Sequence, residues 1–328
     1  VVLGKKAGNR AMLWGGIGGT IPDLDILANL FTDDMTALAM HRGFSHSFVF
    51  AVTAPFLFGW LVERFYKSGL YRKTEYKITA MTIWLLSLAG IAVGINYVPI
   101  SMEKGVSWPL LIVSIGIIIA ASILLYRKYY DTPLEEVDIS WKQWAWLFFW
   151  SIFTHPLLDC CTSYGTQVFQ PFSDYRVAFN NISVADPLYT LPFLSCILIA
   201  AFQLRHHPKR RWFTWAGIGI SSIYLLFTFY HKTVVDNKFE ASLQKEGIVF
   251  QRYTTAPTIL NNVLWHGVAE SDSFYHHGLY SFWDSEPLFF PIEKVPKNHH
   301  LLNGKIFPRR NVFATRNPTV FGRNQKGH

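Results

Sequence analysis

The 328-residue sequence is short of charge. Only 16% of its residues are Asp, Glu, Lys or Arg, against about 25% in an average soluble protein. Cysteine is scarce too: there are three, two of them the adjacent Cys160 and Cys161. Neighbouring cysteines rarely bridge, so a disulfide framework is excluded, and no zinc-ribbon spacing is present. No secretory signal with a cleavage site can be read at the start, which opens on VVLGKKAGNR without a methionine. Acids are missing from the far end, where Lys294 to His328 holds eight Lys or Arg and no Asp or Glu. The net charge of +8 therefore belongs to that tail, and the other 293 residues balance at 22 against 22.

What fills the chain instead is apolar. Half of it is hydrophobic, with 12 Trp, 15 Tyr and 27 Phe, gathered into six runs: Phe44–Trp60, Ile78–Ile100, Trp108–Tyr126, Gln143–Leu158, Pro187–Leu204 and Trp212–Tyr230. Runs of about 18 or more residues can cross a hydrocarbon core of roughly 30 Å as helices. The Gln143 run is shorter and the Phe44 run borderline. Trp108–Tyr126 lacks both a charge and a polar face before Arg127, which a soluble helical enzyme does not accommodate. The expected fold class is an all-α polytopic membrane bundle of about six spanning helices with a small α+β extracytoplasmic domain at its C-terminal end.

The loops separate by charge. Glu63–Lys77, Arg127–Lys142 and Arg205–Arg211 together hold twelve Lys or Arg, whereas the intervening loops hold only Lys104 and Arg176. Basic loops stay in the cytoplasm. That orientation puts His41, His46, His155, Asp159 and the Cys160–Asp186 loop on the extracytoplasmic side. If KKAGNRAMLWGGIGGTIPDLD is a short inserted helix running outward, Asp23 and Asp25 join them.

Three segments then carry the candidate chemistry. In HPLLD, His155 and Asp159 are about 40° apart on a helix and share a face, as ligands of zinc or a related divalent ion can. Pro156 is expected to bend or restart that helix. In HRGFSHS, His41 and His46 are about 140° apart on a regular helix, so an irregular turn at Gly43 is expected, with Ser45 capping the following helix. Arg42 between them suits a phosphate clamp or a surface position at headgroup level. In IPDLD, the two-residue spacing of Asp23 and Asp25 suits an extended loop, or helix-end capping after Pro22. Asp186 before Pro187 reads as a helix N-cap. Arg176 beside Asp174 reads as an ion pair, and Cys160 and Cys161 read as packing residues.

GGIGGTIPDLDILA, HRGFSHS, THPLLDCCTSYGTQVFQPFS and ADPLYTLP resemble the YdjM/YbcI family of membrane-bound metal-dependent hydrolases, from about Gly15 to Thr190. TTAPTILNNVLWHGVAESDSFYHHGLYSFWD more loosely resembles the tail domain of longer members. The resemblance implies a helical inner-membrane protein of bacteria with a His/Asp metal centre. A more distant similarity to zinc-dependent phospholipase C and P1 nuclease implies Asp25, His41, His155 and Asp159 as ligands, with His46 a further ligand or a supporting catalytic group. Zinc is the ion expected and manganese the alternative. Family members begin with a further helix carrying an early His, and this chain starts after that point.

The function expected is hydrolysis of a phosphodiester or ester of a lipid-like substrate. Asp23 would act as general base and Arg42 would stabilise developing phosphoryl charge. The rival readings are a structural metal site in a non-catalytic membrane protein and a divalent-ion transporter. The partners expected are membrane lipids and a small-molecule or lipid substrate, not nucleic acid. Residues 1–230 form the expected membrane domain. Residues 231–293 form a small sheet-bearing domain whose His231, Asp236, His266, His276 and His277 are structural, and 294–328 a flexible basic tail.

Overall fold

A computed structural model describes residues 3–31, 41–101, 107–130, 136–204, 206–286, 288–289 and 291–297. Most of the basic tail, 298–328, lies outside the described residues. After a single turn at Gly4–Ala7 come α1 (Asn9–Thr20) and a 3₁₀ segment, Pro22–Leu30. Then follow a 3₁₀ turn at Phe44–His46, α2 (Phe48–Lys67), α3 (Thr74–Ser101), α4 (Trp108–Leu125) and α5 (Trp141–Asp159). The chain continues through α6 (Pro187–Phe202) and α7 (Pro208–Lys245) to an antiparallel sheet. Its strands, in order, are β1 (Arg252–Pro257), β2 (Leu264–Glu270), β3 (Phe274–Ser281) and β4 (Glu293–Pro296).

All six apolar runs fall on helices. Among the described residues three helices are long and apolar enough to cross a membrane, α2, α7 and the Thr74–Gly94 part of α3; Trp108–Leu124 and α6 are shorter apolar helices. None of the Thr74–Gly94 window is buried by protein, as expected of side chains whose solvent is lipid. The chain divides into two compact units, Val1–Phe58 with Ala145–His328, and Gly59–Trp144. Within the second, α3 and α4 pack together, and Asn96 Nδ2 donates to Ser114 Oγ at 3.2 Å. Such an interhelical bond satisfies polar groups that lipid cannot.

In the first unit, α7 differs from the expected division at residue 230. It runs unbroken for 38 residues, so the last apolar run and the polar helix after Tyr230 are one rod. Its Val235, Phe239 and Leu243 form an i, i+4, i+8 stripe, fully buried against Trp265, Ala269, Tyr280 and Phe289. Each such burial stabilises by about 1.5–3 kcal/mol. Gly267 faces Gly278 across β2 and β3. A Cβ there would stand 2.5–2.7 Å from the Phe239 ring, so only glycine lets the helix lie this close. The expected small sheet is present, with four antiparallel strands.

Asp186 caps α6, accepting from the N–H of Leu188 at 2.9 Å, as its place before Pro187 indicated. Its other carboxylate oxygen accepts from Tyr224 Oη at 2.8 Å. The 160–186 loop is tied down along its length. Phe48 N–H donates to Val168 O at 2.9 Å, and Gln167 N–H to Arg42 O at 3.0 Å. Asn181 Nδ2 donates to Thr228 Oγ1 at 2.7 Å, and Asn262 Nδ2 to Asn181 O at 2.8 Å. These bonds fix the histidine segment, α7 and the connection between β1 and β2 to one brace. Gly267→Val should lower the denaturation midpoint of the detergent-solubilised protein, at a cost of about 1–3 kcal/mol from overpacking, whereas Val249→Ala on the exposed surface should leave it in place.

Candidate metal centre

The site is built where three segments end. Gly18 sets the approach of α1 to α5, because a Cβ at this position would lie 2.9 Å from Phe148 and 3.0 Å from the Ser151 Cβ. Ser151 Oγ donates to Gly15 O across the same contact. That close packing delivers the following 3₁₀ segment to the end of α5. Asp23 and Asp25 therefore lie on a 3₁₀ helix rather than in an extended loop. Pro22 opens it, with its fixed φ suited to a first helical position.

The turn at His41–Gly43 is irregular, as the spacing of the histidines required. The left-handed residue, however, is Arg42 at φ 57°, not Gly43 at φ −90°. A non-glycine residue there is uncommon and costs about 1–2 kcal/mol. The gain is visible: Arg42 N–H donates to Asp25 Oδ2 at 2.8 Å, while its side chain turns inward. Ser47, not Ser45, caps α2, accepting from Phe50 N–H at 3.1 Å. Ser45 Oγ is spent on Asp25 Oδ2 at 3.2 Å and His46 Nδ1 at 3.1 Å. Helix α5 runs through Pro156 to Asp159 without restarting, since proline removes one helical hydrogen bond and Cys160 N–H still reaches Pro156 O. His155 and Asp159 consequently keep the shared face that their spacing implied.

Asp23, His46, His155 and Asp159 meet, each offering one donor atom, all four within 4.8 Å of one another. All four belong to the first unit. They form an alternating ring. His46 Nε2 lies 3.4 Å from Asp23 Oδ1 and 3.3 Å from Asp159 Oδ2, and His155 Nε2 lies 3.3 and 3.2 Å from the same two atoms. His46 Nε2, His155 Nε2 and Asp159 Oδ2 are buried and make no hydrogen bond. Three orphaned donors aimed at one point are costly unless something sits between them. A ring with sides of this length has a centre about 2.0–2.3 Å from each donor, the length of Zn–N and Zn–O bonds. The donor set fits a single divalent ion. Asp23, whose side chain is 53% exposed, marks the open side, while His46 is fully buried.

Asp25 and His41, expected as ligands, stand behind the ring instead. Asp25 Oδ2 lies 3.3 Å from His46 Nδ1, and Asp25 Oδ1 lies 2.9 Å from His41 Nδ1. A carboxylate on the far nitrogen fixes the ring and tautomer of a metal-binding histidine. Asp23, expected as the base, is placed among the donors. Arg42 is buried rather than at the surface. Its Nη1 donates to Thr162 Oγ1 at 2.6 Å, and its Nη2 lies 3.5 Å from Asp159 Oδ1. It thereby holds the carboxylate oxygen that does not face the ring. Arg176 donates to the carbonyls of His41 at 3.0 Å and Gly165 at 3.4 Å. Cys160 and Cys161 are buried and free, as packing residues are. Thr162 and Tyr164 escaped notice in the sequence, although CTSYG follows Asp159 directly.

Burial works to lower the His46 pKa, but the carboxylates of Asp159, Asp23 and Asp25 outweigh it and raise it to about 10. His155 and then His46 hold Asp23 well below the usual carboxylate range, against burial. Burial also works to raise Asp159 and Asp25, and the neighbouring histidines overcome it at both. His231, Asp236 and His276 have partners of their own away from the ring. His231 Nδ1 meets Asn262 Oδ1 at 2.9 Å, Asp236 pairs with Lys232 at 2.6 Å, and His276 bonds Ser271 at 3.1 Å.

A membrane protein with a buried His/Asp ring at the end of its helices is thus the class that fold and site define. The family described as YdjM inner membrane protein matches residues 1–235, a stretch containing all four donors, and the chain belongs to that family. It is an inner-membrane protein. It is also similar to the inner membrane protein YbcI of Escherichia coli (strain K12), 31% identical over 156 residues that cover 44% of this chain and 82% of the relative. No solved structure matches.

Two outcomes are expected of the metal-free protein titrated with zinc. His46 holds a proton at neutral pH, and both ring histidines must be neutral to bind an ion. Calorimetry in buffers of different ionisation enthalpy should therefore show release of protons on zinc binding, and affinity should weaken as pH falls. Asp25→Asn should weaken zinc binding about 10–100-fold while leaving all four donors in place.

Proposed function

We propose that the protein is a metal-dependent hydrolase of the inner membrane that cleaves a phosphodiester or ester in a lipid-like molecule. The observation that carries this reading is the alternating ring with three buried, unbonded donor atoms. His46, His155, Asp159 and Asp23 would hold the ion, zinc or manganese. When bound, a divalent ion lowers the pKa of water and polarises the oxygen of the bond to be broken. Asp25 keeps the His46 imidazole oriented, and Arg42 keeps Asp159 turned toward the ring. Asp23, on the open side, would hold the ion through Oδ1 and take a proton from the attacking water with its other carboxylate oxygen. That water's oxygen would bond to phosphorus or to the acyl carbon as the ester bond breaks, and the proton taken by Asp23 would pass to the departing alkoxide to give the alcohol.

Charge favours the phosphoester. Asp23, Asp25 and Asp159 bring three negative charges and Arg42 and Arg176 two positive ones, so with a divalent ion held by neutral histidines the sum is +1. A site of that sign attracts an anion. The basic loops support a cytoplasmic location for the opposite face and an extracytoplasmic one for the site and the sheet. His46 precedes α2 by two residues and Asp159 ends α5, so the ring sits at helix ends. A transporter site is expected nearer the middle of the spans. One observation favours a structural ion: four protein donors can close a tetrahedral site. Activity separates the two.

The wild-type protein, purified in detergent, should carry about one divalent ion per chain by elemental analysis, and His155→Ala and Asp159→Ala should each lose most of it. Across a panel of phosphodiesters and esters, wild type should cleave at least one substrate and both variants none. An ion present without cleavage of any panel member would leave the structural reading standing.

A further inference from the structure

Every segment that brings a donor to the ring also exposes a large apolar side chain beside that donor. Leu24 lies between Asp23 and Asp25, Phe44 two residues before His46, and Leu157 between His155 and Asp159. Tyr164 has its ring 5.4 Å from the Arg42 guanidinium. These four are 41–61% exposed, and Phe172, farther along the loop that follows α5, is 86% exposed. Single exposed apolar residues are ordinary, but a set gathered around one site marks an interaction surface.

The covering material is identified by continuity. Phe169, in that loop, packs its ring 5.9 Å from Phe48, the first residue of α2, and Phe44 lies 6.0 Å from Phe50 in the next turn. Helix α2 is a candidate membrane span whose Val52 and Phe56 are themselves exposed. The rim therefore extends the lipid-facing surface of a span in an inner-membrane protein. Aromatic side chains at the end of a span are typical of the bilayer interface.

We propose that this rim is immersed in lipid and that the site opens sideways into the bilayer. It would admit an anionic amphiphile whose phosphoester reaches the ring at headgroup depth while its hydrocarbon stays against Leu24, Phe44 and Phe172. The chemistry rests on the hydrolase reading; the immersion does not.

The test separates them. In full-length protein carrying Cys196→Ser, Leu24→Cys and Phe172→Cys are labelled with bimane and reconstituted in lipid brominated near the headgroup. Val249→Cys, exposed beyond the end of α7, is the control. Bimane at positions 24 and 172 should lose most of its emission while the control keeps it; emission equally retained at all three overturns the proposal. Phe172→Asp should then lower cleavage of a bilayer phosphodiester roughly tenfold, because a charge disfavours the interface, and leave cleavage of a water-soluble one unchanged. Equal loss on both substrates also overturns lateral entry. Quenching at the rim without cleavage of either substrate would sink the hydrolase reading alone.

Discussion

Two imidazoles and two carboxylates converge at helix ends with their donor atoms facing one another. Leaving a buried polar atom without a partner costs about 1–3 kcal/mol, and more when it is charged. Three such atoms meet here. Alternating the signs around the ring offsets part of the cost, which is why the histidines bind protons tightly and the aspartates give theirs up. Much of the local structure serves to keep that arrangement from relaxing. Arg42 takes a left-handed backbone conformation, Asp25 is held by four groups, and Gly18 lets α1 come close enough to deliver Asp23.

The same constraint explains the loop after α5. Helix α5 can end on Asp159 only if the chain that follows screens the site, and residues 160–186 do so through backbone bonds to the histidine segment and side-chain bonds to α7 and the sheet. The sheet in turn packs on the far end of α7, a helix that continues directly from its apolar run. A hydrophobic stripe at Val235, Phe239 and Leu243 gives that extension its own core. The His/Asp ring and the terminal sheet are thus joined through one loop.

Much of this was legible in the residues themselves. The helical runs, the Asp186 cap and the shared face of His155 and Asp159 follow from local pattern, and each is present. The division of labour among the candidates was not legible. Asp25 and Asp23 are chemically identical and two residues apart, yet one backs His46 and the other completes the ring. His41 and His46 differ only in which side of Arg42 they fall on. Ser45 looked like a cap because it precedes a helix, but the helix starts two residues later. In each case the outcome depends on partners 16 to more than 100 residues away, beyond the reach of spacing.

Composition and order along the chain determined that this is a helical membrane protein with three His/Asp segments near helix ends. Apolar run length and charge placement are local properties that lipid and water sort without reference to the rest of the fold. Only the tertiary structure decided which four donors meet, which two stand behind them, and which side of the ring is open. Those choices turn on the backbone angle of Arg42, the close packing at Gly18 and the 3₁₀ winding of the aspartate segment. Each is set by contacts between segments rather than within one.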